Sequence, residues 1–476
     1  MGDLKIMGLD GKSKKVDGSA VETLASAVRG GLLQAGDDGY DEARTVWNAM
    51  IEKKPALIAR CLGAADVIAA IDFAREQSIL TAIRSGGHNI AGNSVCDQGL
   101  MIDLSQMRLV RIDAINQVAY VGPGATLCDL DHESLAHGLA TPVGVNSTTG
   151  VAGLALGGGF GWLSRKYGMT CDNLIGADVV TVDGKYLHVS ETEHPDLFWA
   201  IRGGGGNFGI ITQFEFRLHK VGPGVLTGMI VYPLSEAVEA LKLYREYVKT
   251  LKNESTVWAL TRKAPPLPFL PEEVHGTEIL VFAFCHTGDP EVGKKAFEPL
   301  RKFGTVLGEF MAVQPLEAWQ AIFDPLLTPG SRNYWKSHNF AELSDEIIEV
   351  GVKYANNLPS PQCEIFFAHL GGEINRLDSS ANAYAHREAN YVLNVHGRWD
   401  DASDDAKCVK WSRDLFEATK PYASAGVYIN FMTAEEVDRV EFAFGSNYEK
   451  LMKVKQKYDP NNILRLNQNI QPGKEK

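Results

Sequence analysis

Cysteine is scarce in this chain: seven residues in 476, an odd count, at positions 61, 96, 128, 171, 285, 363 and 408, with no Cys-x-x-Cys pair. The odd count and the spacing argue against a disulfide framework and a structural zinc site, no metal is expected, and the cysteines read as buried free thiols. A run of about 18 apolar residues is missing, so no membrane-spanning helix is expected. The first residues lack a basic start followed by a long apolar core, so no secretory signal is read and a cytoplasmic protein is the expectation. Positive charge is in deficit, with a net charge of −12. That balance argues against nucleic acid or an anionic membrane as partner. Neither internal repeats nor low-complexity tracts occur. Two common phosphate signatures are also absent: a Gly-x-Gly-x-x-Gly turn after the first strand, and a glycine loop ending in Gly-Lys-Ser/Thr.

Glycine, in contrast, is abundant, at 47 residues, and much of it is clustered. The first cluster, Arg84-Ser85-Gly86-Gly87-His88-Asn89, follows the apolar run Ile79–Ile83, which reads as a buried strand. Glycine has no Cβ to keep an anion from backbone N–H groups, and His88 stands at the mouth of this loop with a nucleophilic ring. The second cluster, 144–161, holds seven glycines in eighteen residues. Such a density is incompatible with a regular helix or strand. It fits either backbone wrapped around a flat or phosphate-bearing ligand or a close-packed irregular loop. The third cluster, Gly203–Gly209, again offers bare amides. Several separate loops imply one large ligand.

Periodicity places a strand at 55–61, an amphipathic helix at 63–77 and a strand at 80–84, which fits a parallel pair joined by a crossover helix. A helix is expected over 17–35 and a polar loop over 40–51. Short strands are read at 99–104 and 117–121, a helix at 127–137, a hairpin around Asp183-Gly184 and a strand at 210–218. Character changes near Val221-Gly222-Pro223-Gly224. Beyond it, long helices (234–251 first) alternate with strands such as 257–261, 278–285 and 364–370, an α+β layout with an antiparallel sheet. On the strand 391–399, period-two alternation puts Asn394, His396 and Arg398 on one face. The last segment reads as a strand followed by a helix over 447–457.

Together these motifs resemble the FAD-linked oxidases with the vanillyl-alcohol-oxidase/p-cresol-methylhydroxylase fold, berberine-bridge-enzyme-like group. The resemblance lies in Trp47-Asn48, the 84–92 loop, Pro123-Gly124-Ala125, the 144–168 run, Asp172-Asn173, Asp196–Trp199 and Gly203–Gly209. It continues in Tyr428-Ile-Asn-Phe, Asn447–Leu451 and Asp459–Ile470, and so spans the whole chain. It implies an α+β architecture in three segments: residues 1–218 and 421–476 form a two-part FAD-binding domain. Residues 219–420 form a substrate domain whose antiparallel sheet, backed by helices, covers the isoalloxazine ring.

Carried over residue by residue, the resemblance implies that His88 bonds covalently to the flavin 8α-methyl carbon, a tether that raises the flavin's reduction potential. It implies FAD contacts from Arg84, Ser85, Gly86, Gly87, Asn89, Gly124, Gly144, Asn146, Thr149, Gly150, Gly153, Gly158, Asn173, Gly206, Phe208, Ile211, Tyr428 and Asn430. Relatives with a second, cysteinyl tether carry cysteine where Asn146 stands, so one covalent link is expected here. Thr149 occupies an oxygen-gatekeeping position where valine accompanies oxidases and leucine accompanies dehydrogenases. Thr is near-isosteric with Val, which favours an oxidase. Phe160 and Phe431 replace tyrosines of the plant members. Asn394, near the position of a Glu or Gln in relatives, cannot be a base, which leaves His396 or Tyr428. A phenol with a pKa near 10 needs a neighbour to depress it before it can act as one. The implied function is hydride transfer from a small-molecule alcohol, sugar or phenolic metabolite to FAD, with dioxygen as acceptor. A dehydrogenase with another acceptor and a flavin-binding protein without turnover are the other readings. A monomer or small homo-oligomer is expected.

Overall fold

The computed structural model describes residues 2–424 and 426–473. Met1, Ala425 and the last three residues of the expected C-terminal segment 421–476 lie outside it. Among the described residues, no helix is long and apolar enough to cross a membrane and no cluster of His, Cys, Asp and Glu could hold a metal.

Three sheets carry the architecture. The first has four strands in the order Leu32–Leu33, Leu57–Arg60, Leu100–Asp103, Thr81–Arg84. Leu57–Arg60 and Thr81–Arg84, joined by the helix Ala64–Glu76, do run parallel, but each pairs with Leu100–Asp103 between them rather than with the other. The central strand takes that place because all four of its residues are buried. Its Asp103 forms an ion pair with the Arg60 guanidinium at 3.3 Å and accepts from the Ser105 amide at 3.0 Å. Near-continuous apolar runs are what parallel strands covered on both faces require. The second sheet is antiparallel, in the order Tyr186–Ser190, Leu174–Val180, Ile210–Arg217, Val118–Val121, Val110–Asp113.

The third sheet has seven strands and is antiparallel throughout. Its order is Gly308–Gln314, Val225–Pro233, Glu278–His286, Ser255–Lys263, Glu364–His369, Tyr391–Trp399, Arg332–Phe340. Alternation assigns its two faces. Val257, Ala259, Ile365, Phe367, Leu393 and Val395 share one core with Tyr244, Ile347, Ile348 and Trp411, which come from the helices Ala237–Val248, Asp345–Ala355 and Asp405–Thr419. Trp258, Leu260, Phe366 and Val392 point the other way and pack with Phe160 and Tyr428 from outside the sheet. The chemistry-bearing residues of these strands are on that second face.

Some elements depart from the sequence expectations. The helix of 17–35 ends at Ala27, and Leu32–Leu33 joins the first sheet. Part of the expected polar loop at 40–51 is a short helix, Tyr40–Arg44. Within the second glycine cluster a regular helix does form, Val151–Leu156, because only Gly153 lies inside it; Gly150 and Gly157 flank it as caps. The strand expected after Gly426 is a single 3-10 turn, Ile429–Phe431.

The C-terminal helix Tyr448–Tyr458 is pinned to the N-terminal part through Lys455, itself half of a buried ion pair within the C-terminal segment. Lys455 Nζ donates to Asp459 Oδ2 at 2.7 Å, to Asn207 O at 2.8 Å and to Leu464 O at 3.0 Å, and both charged side chains are fully buried. Asp459 in turn accepts from the Ile463 and Leu464 amides. Removing one partner leaves the other as an uncompensated buried charge. Lys455→Met is therefore expected to lower stability by about 3–5 kcal/mol, read as a drop in the urea midpoint. A change below about 1 kcal/mol would show that the pin is dispensable.

Candidate active site

The apolar strand Thr81–Arg84 ends in the glycine loop, and the loop is held from outside. Arg84 folds back onto the carbonyls of Ala43 and Thr45, Trp47 N–H donates to Gly87 O at 3.1 Å, and the Ser85 hydroxyl donates to Pro123 O at 2.5 Å. Gly87 has φ +70°, a conformation that glycine adopts without strain. Within this frame the amides of Gly86, Gly87, His88 and Asn89 donate to no group among the described residues. Four consecutive unpaired N–H groups at a glycine turn form an anion cradle.

The second cluster closes against this loop. A Cβ on Gly86 would meet Gly150 Cα at 2.5 Å, and one on Gly150 would meet Gly86 N at 2.6 Å, so the backbones touch where no side chain fits. Gly153 and Gly206 have nothing within 4 Å of a Cβ position. A side chain there would occupy open cleft. The cleft has a volume of about 340 Å³ and runs from Thr81, Ile83 and Leu104 at one end to Trp258, Glu364 and Phe431 at the other. Bare backbone along one stretch and unpaired amides at another suit a long, flat ligand with an anionic centre, as FAD is.

His88 lines the cleft, stacked on Trp47 with ring centroids 5.0 Å apart. Burial pulls its pKa down to about 3, so the imidazole is neutral at pH 7. The Trp47 indole Nε1–H donates to Leu327 O at 3.0 Å, tying this corner to the middle segment, and Trp335 meets Trp47 edge-on.

The far end of the cleft belongs to the third sheet. Register sets Arg262 opposite Glu364 and Glu364 opposite His396. Across these pairs, His396 Nδ1 lies 3.0 Å from Glu364 Oε1, and Arg262 donates to Glu364 Oε2 at 3.2 Å. Burial alone would raise the Glu364 carboxyl, but His396 and Arg262 hold it below the usual carboxylate range. Burial lowers the His396 pKa against the opposing pull of Glu364. Glu364 thus stands as a carboxylate beside an imidazole whose neutral form burial favours. His396 Nε2 faces Asn333 Oδ1 at 3.4 Å, and the ring meets Trp335 edge-on.

Tyr428 is buried beside Phe160 and Phe431. Its hydroxyl oxygen accepts from the Gly159 amide at 3.1 Å and from Asn430 Nδ2 at 2.9 Å. Burial pushes the phenol pKa up, and no cation counters it. Contrary to the requirement set out for a base, the phenol stays protonated at neutral pH. Two further groups at this end are buried without partners among the described residues: Asn394 Oδ1 and Trp335 Nε1.

Ser85, Gly86, Gly87, His88, Asn89, Gly144, Asn146, Thr149, Gly150, Gly153, Gly206, Ile211, Asn394, His396, Tyr428 and Asn430 all line the cleft. Five other expected contacts do not. Arg84 braces the loop from behind. Gly124 packs against Leu104 and Ser105, and Gly158 against Met169 and Tyr384. Asn173 donates to Tyr167 O and Met169 O, and Phe208 is fully buried in the core. Arg398 shares its strand face with His396 but is turned onto Thr328 O and the Trp47 ring. Sequence reasoning missed Arg262, Glu364 and Trp335. Alternation marks each as sharing a face with its strand's aromatic or polar neighbours, but cross-strand register is not written in any one strand.

Comparison with known proteins agrees with this geometry. Residues 55–190 match a family model described as an FAD binding domain, and residues 427–471 one described as berberine and berberine like. An FAD-linked oxidoreductase of Dictyostelium discoideum is 32% identical over 457 residues, covering 95% of this chain and 97% of that one. The chain belongs to the berberine-bridge-enzyme-like FAD-linked oxidoreductases. (R)-6-hydroxynicotine oxidase of Paenarthrobacter nicotinovorans is 29% identical, covering 94% of this chain and 97% of its own. A crystal structure of 6-hydroxy-D-nicotine oxidase from Arthrobacter nicotinovorans superposes with a TM-score of 0.84 at 27% identity, covering 94% and 98% of the two chains. The protein is an FAD-dependent enzyme, which sets aside the reading without turnover.

The open space at Gly153 gives a direct check on where the flavin lies. Alanine in a helix is favoured over glycine by about 1 kcal/mol, so Gly153→Ala is expected to raise the thermal midpoint of flavin-free protein. The added methyl group enters the cleft, so the same variant is expected to hold less FAD than wild type, by absorbance ratio. Undiminished flavin content would place the coenzyme elsewhere.

Proposed function

We propose that this enzyme oxidises a small, flat, ring-bearing alcohol, phenol or amine of the secondary-metabolite kind, and that dioxygen receives the electrons and leaves as hydrogen peroxide. The observation that carries the reading is one polar cluster, Glu364 with His396 and Arg262, set in a largely aromatic wall. Trp258, Phe160, Trp335, Phe366 and Phe431 line the substrate end of the cleft. Aromatic faces hold flat rings. A sugar would need many more polar partners than Asn394, Trp335, Tyr428 and the charged pair supply.

FAD, when bound, supplies the hydride acceptor. The amides of the 85–89 loop would hold its pyrophosphate, and His88 is the residue that would bond to its 8α-methyl carbon, as the one covalent link. A single link is supported by Asn146, whose amide cannot form a thioether, and by the lack of any cysteine along the described cleft lining. The Glu364–His396 pair takes the proton from the substrate O–H or N–H. Glu364 stabilises the imidazolium so formed, and Arg262 keeps Glu364 ionised. Tyr428 acts as donor: with its oxygen accepting from Gly159 and Asn430, its own hydrogen is free for the substrate heteroatom. Thr149, close to valine in shape and lining the cleft, supports dioxygen as acceptor.

In anaerobic mixing, phenolic alcohols and heterocyclic amines are expected to bleach the flavin and oligosaccharides to leave it yellow; the reverse result would overturn the substrate class. His396→Ala is expected to lower kcat by about 10²- to 10⁴-fold, and Glu364→Gln by less. The base works only when deprotonated, so kcat/KM should fall as pH drops through the His396 pKa, which burial sets below its ordinary 6.5. That acid limb is expected to vanish in His396→Ala. A limb that persists unchanged would assign the base to another group.

A further inference from the structure

At the position where relatives form a second tether, Asn146 has a different task. Its amide oxygen accepts from the Thr148 backbone N–H at 3.1 Å, which fixes which end of the amide is the oxygen. The same oxygen accepts the Thr148 hydroxyl hydrogen at 2.8 Å. A hydroxyl has one hydrogen. With that hydrogen committed to Asn146, the Thr148 oxygen presents only lone pairs, and it lies 2.9 Å from His88 Nε2. The ring nitrogen facing it must be the donor. A neutral imidazole carries one N–H, so it is on Nε2, and Nδ1 keeps its lone pair. Among the described residues Nδ1 has no hydrogen-bond partner, and the Trp47 ring stacked on His88 restrains the imidazole plane.

We propose that Asn146 and Thr148 are positioning residues for flavin attachment, fixing the His88 tautomer so that Nδ1 is the atom that bonds to the flavin methyl carbon. This rests on the covalent link read above. In the attachment the Nδ1 lone pair forms the N–C bond. One methyl C–H breaks, and its proton leaves. The Nε2 proton also leaves, to solvent water. The two electrons released pass through the ring system to dioxygen, which takes up two protons and departs as hydrogen peroxide.

The test follows intact mass of the denatured full chain over time in air with added FAD. Wild type is expected to gain one flavin covalently. Thr148→Val and Asn146→Leu are expected to bind FAD and convert it roughly three- to tenfold more slowly, the loss of one hydrogen bond. Thr148→Ser, which keeps the hydroxyl, is expected to convert at the wild-type rate. In nitrogen-correlated NMR of the wild-type flavin peptide, the methylene protons should couple to Nδ1, a readout that needs no variant to fold. Variants that load at the wild-type rate, or coupling to Nε2, would overturn the positioning role while leaving the covalent link intact. Wild type without covalent flavin would remove the link and the positioning role with it.

Discussion

The contact between Gly86 and Gly150 sets the geometry on which the site depends. Two backbones from loops more than sixty positions apart meet at a distance no Cβ permits. One loop brings His88 and four unpaired amides; the other brings Asn146, Thr148, Thr149 and the open floor at Gly153. A side chain at either contact point would separate the loops, and the His88–Thr148 hydrogen bond at 2.9 Å could not form. The density of glycine here is thus a packing requirement at the contact and a clearance requirement along the cleft.

The seven-stranded sheet solves a different problem. One of its faces must be apolar to pack on helices, and alternation frees the other to carry chemistry at no cost to that core. Arg262, Glu364 and His396 fall side by side only because three strands distant in sequence share one register. Each charge is buried beside an opposite or complementary group, which limits the desolvation penalty such groups otherwise incur. The aromatic surroundings lower the local dielectric, so the pair's proton affinity is set by its own partners and little by solvent.

Much of this was legible in the sequence. The strands 57–60 and 391–399, the hairpin at 183–184 and the glycine loops are written in local periodicity and in residues with few conformational alternatives. The FAD-binding character followed from motifs spread over the whole chain. Three things were not legible. The insertion of Leu100–Asp103 between two strands that look adjacent is a tertiary choice. The short helix in the second glycine run depends on where six of the seven glycines happen to lie. Glu364 and Arg262 give no local signal, since a charged residue on a strand reads equally well as solvent-facing. Tyr428 was found by its motif, but its role turned on burial and on two donors, Gly159 and Asn430, that sequence does not place.

On the reading proposed above, one yellow coenzyme lies along the glycine-lined cleft and is fixed there by His88. Acid precipitation of the purified protein, followed by proteolysis and flavin fluorescence of the separated peptides, tests it most directly. The fluorescence is expected to stay with the precipitate and to travel on the peptide containing His88. Flavin released into the acid supernatant, or carried on any other peptide, would contradict it.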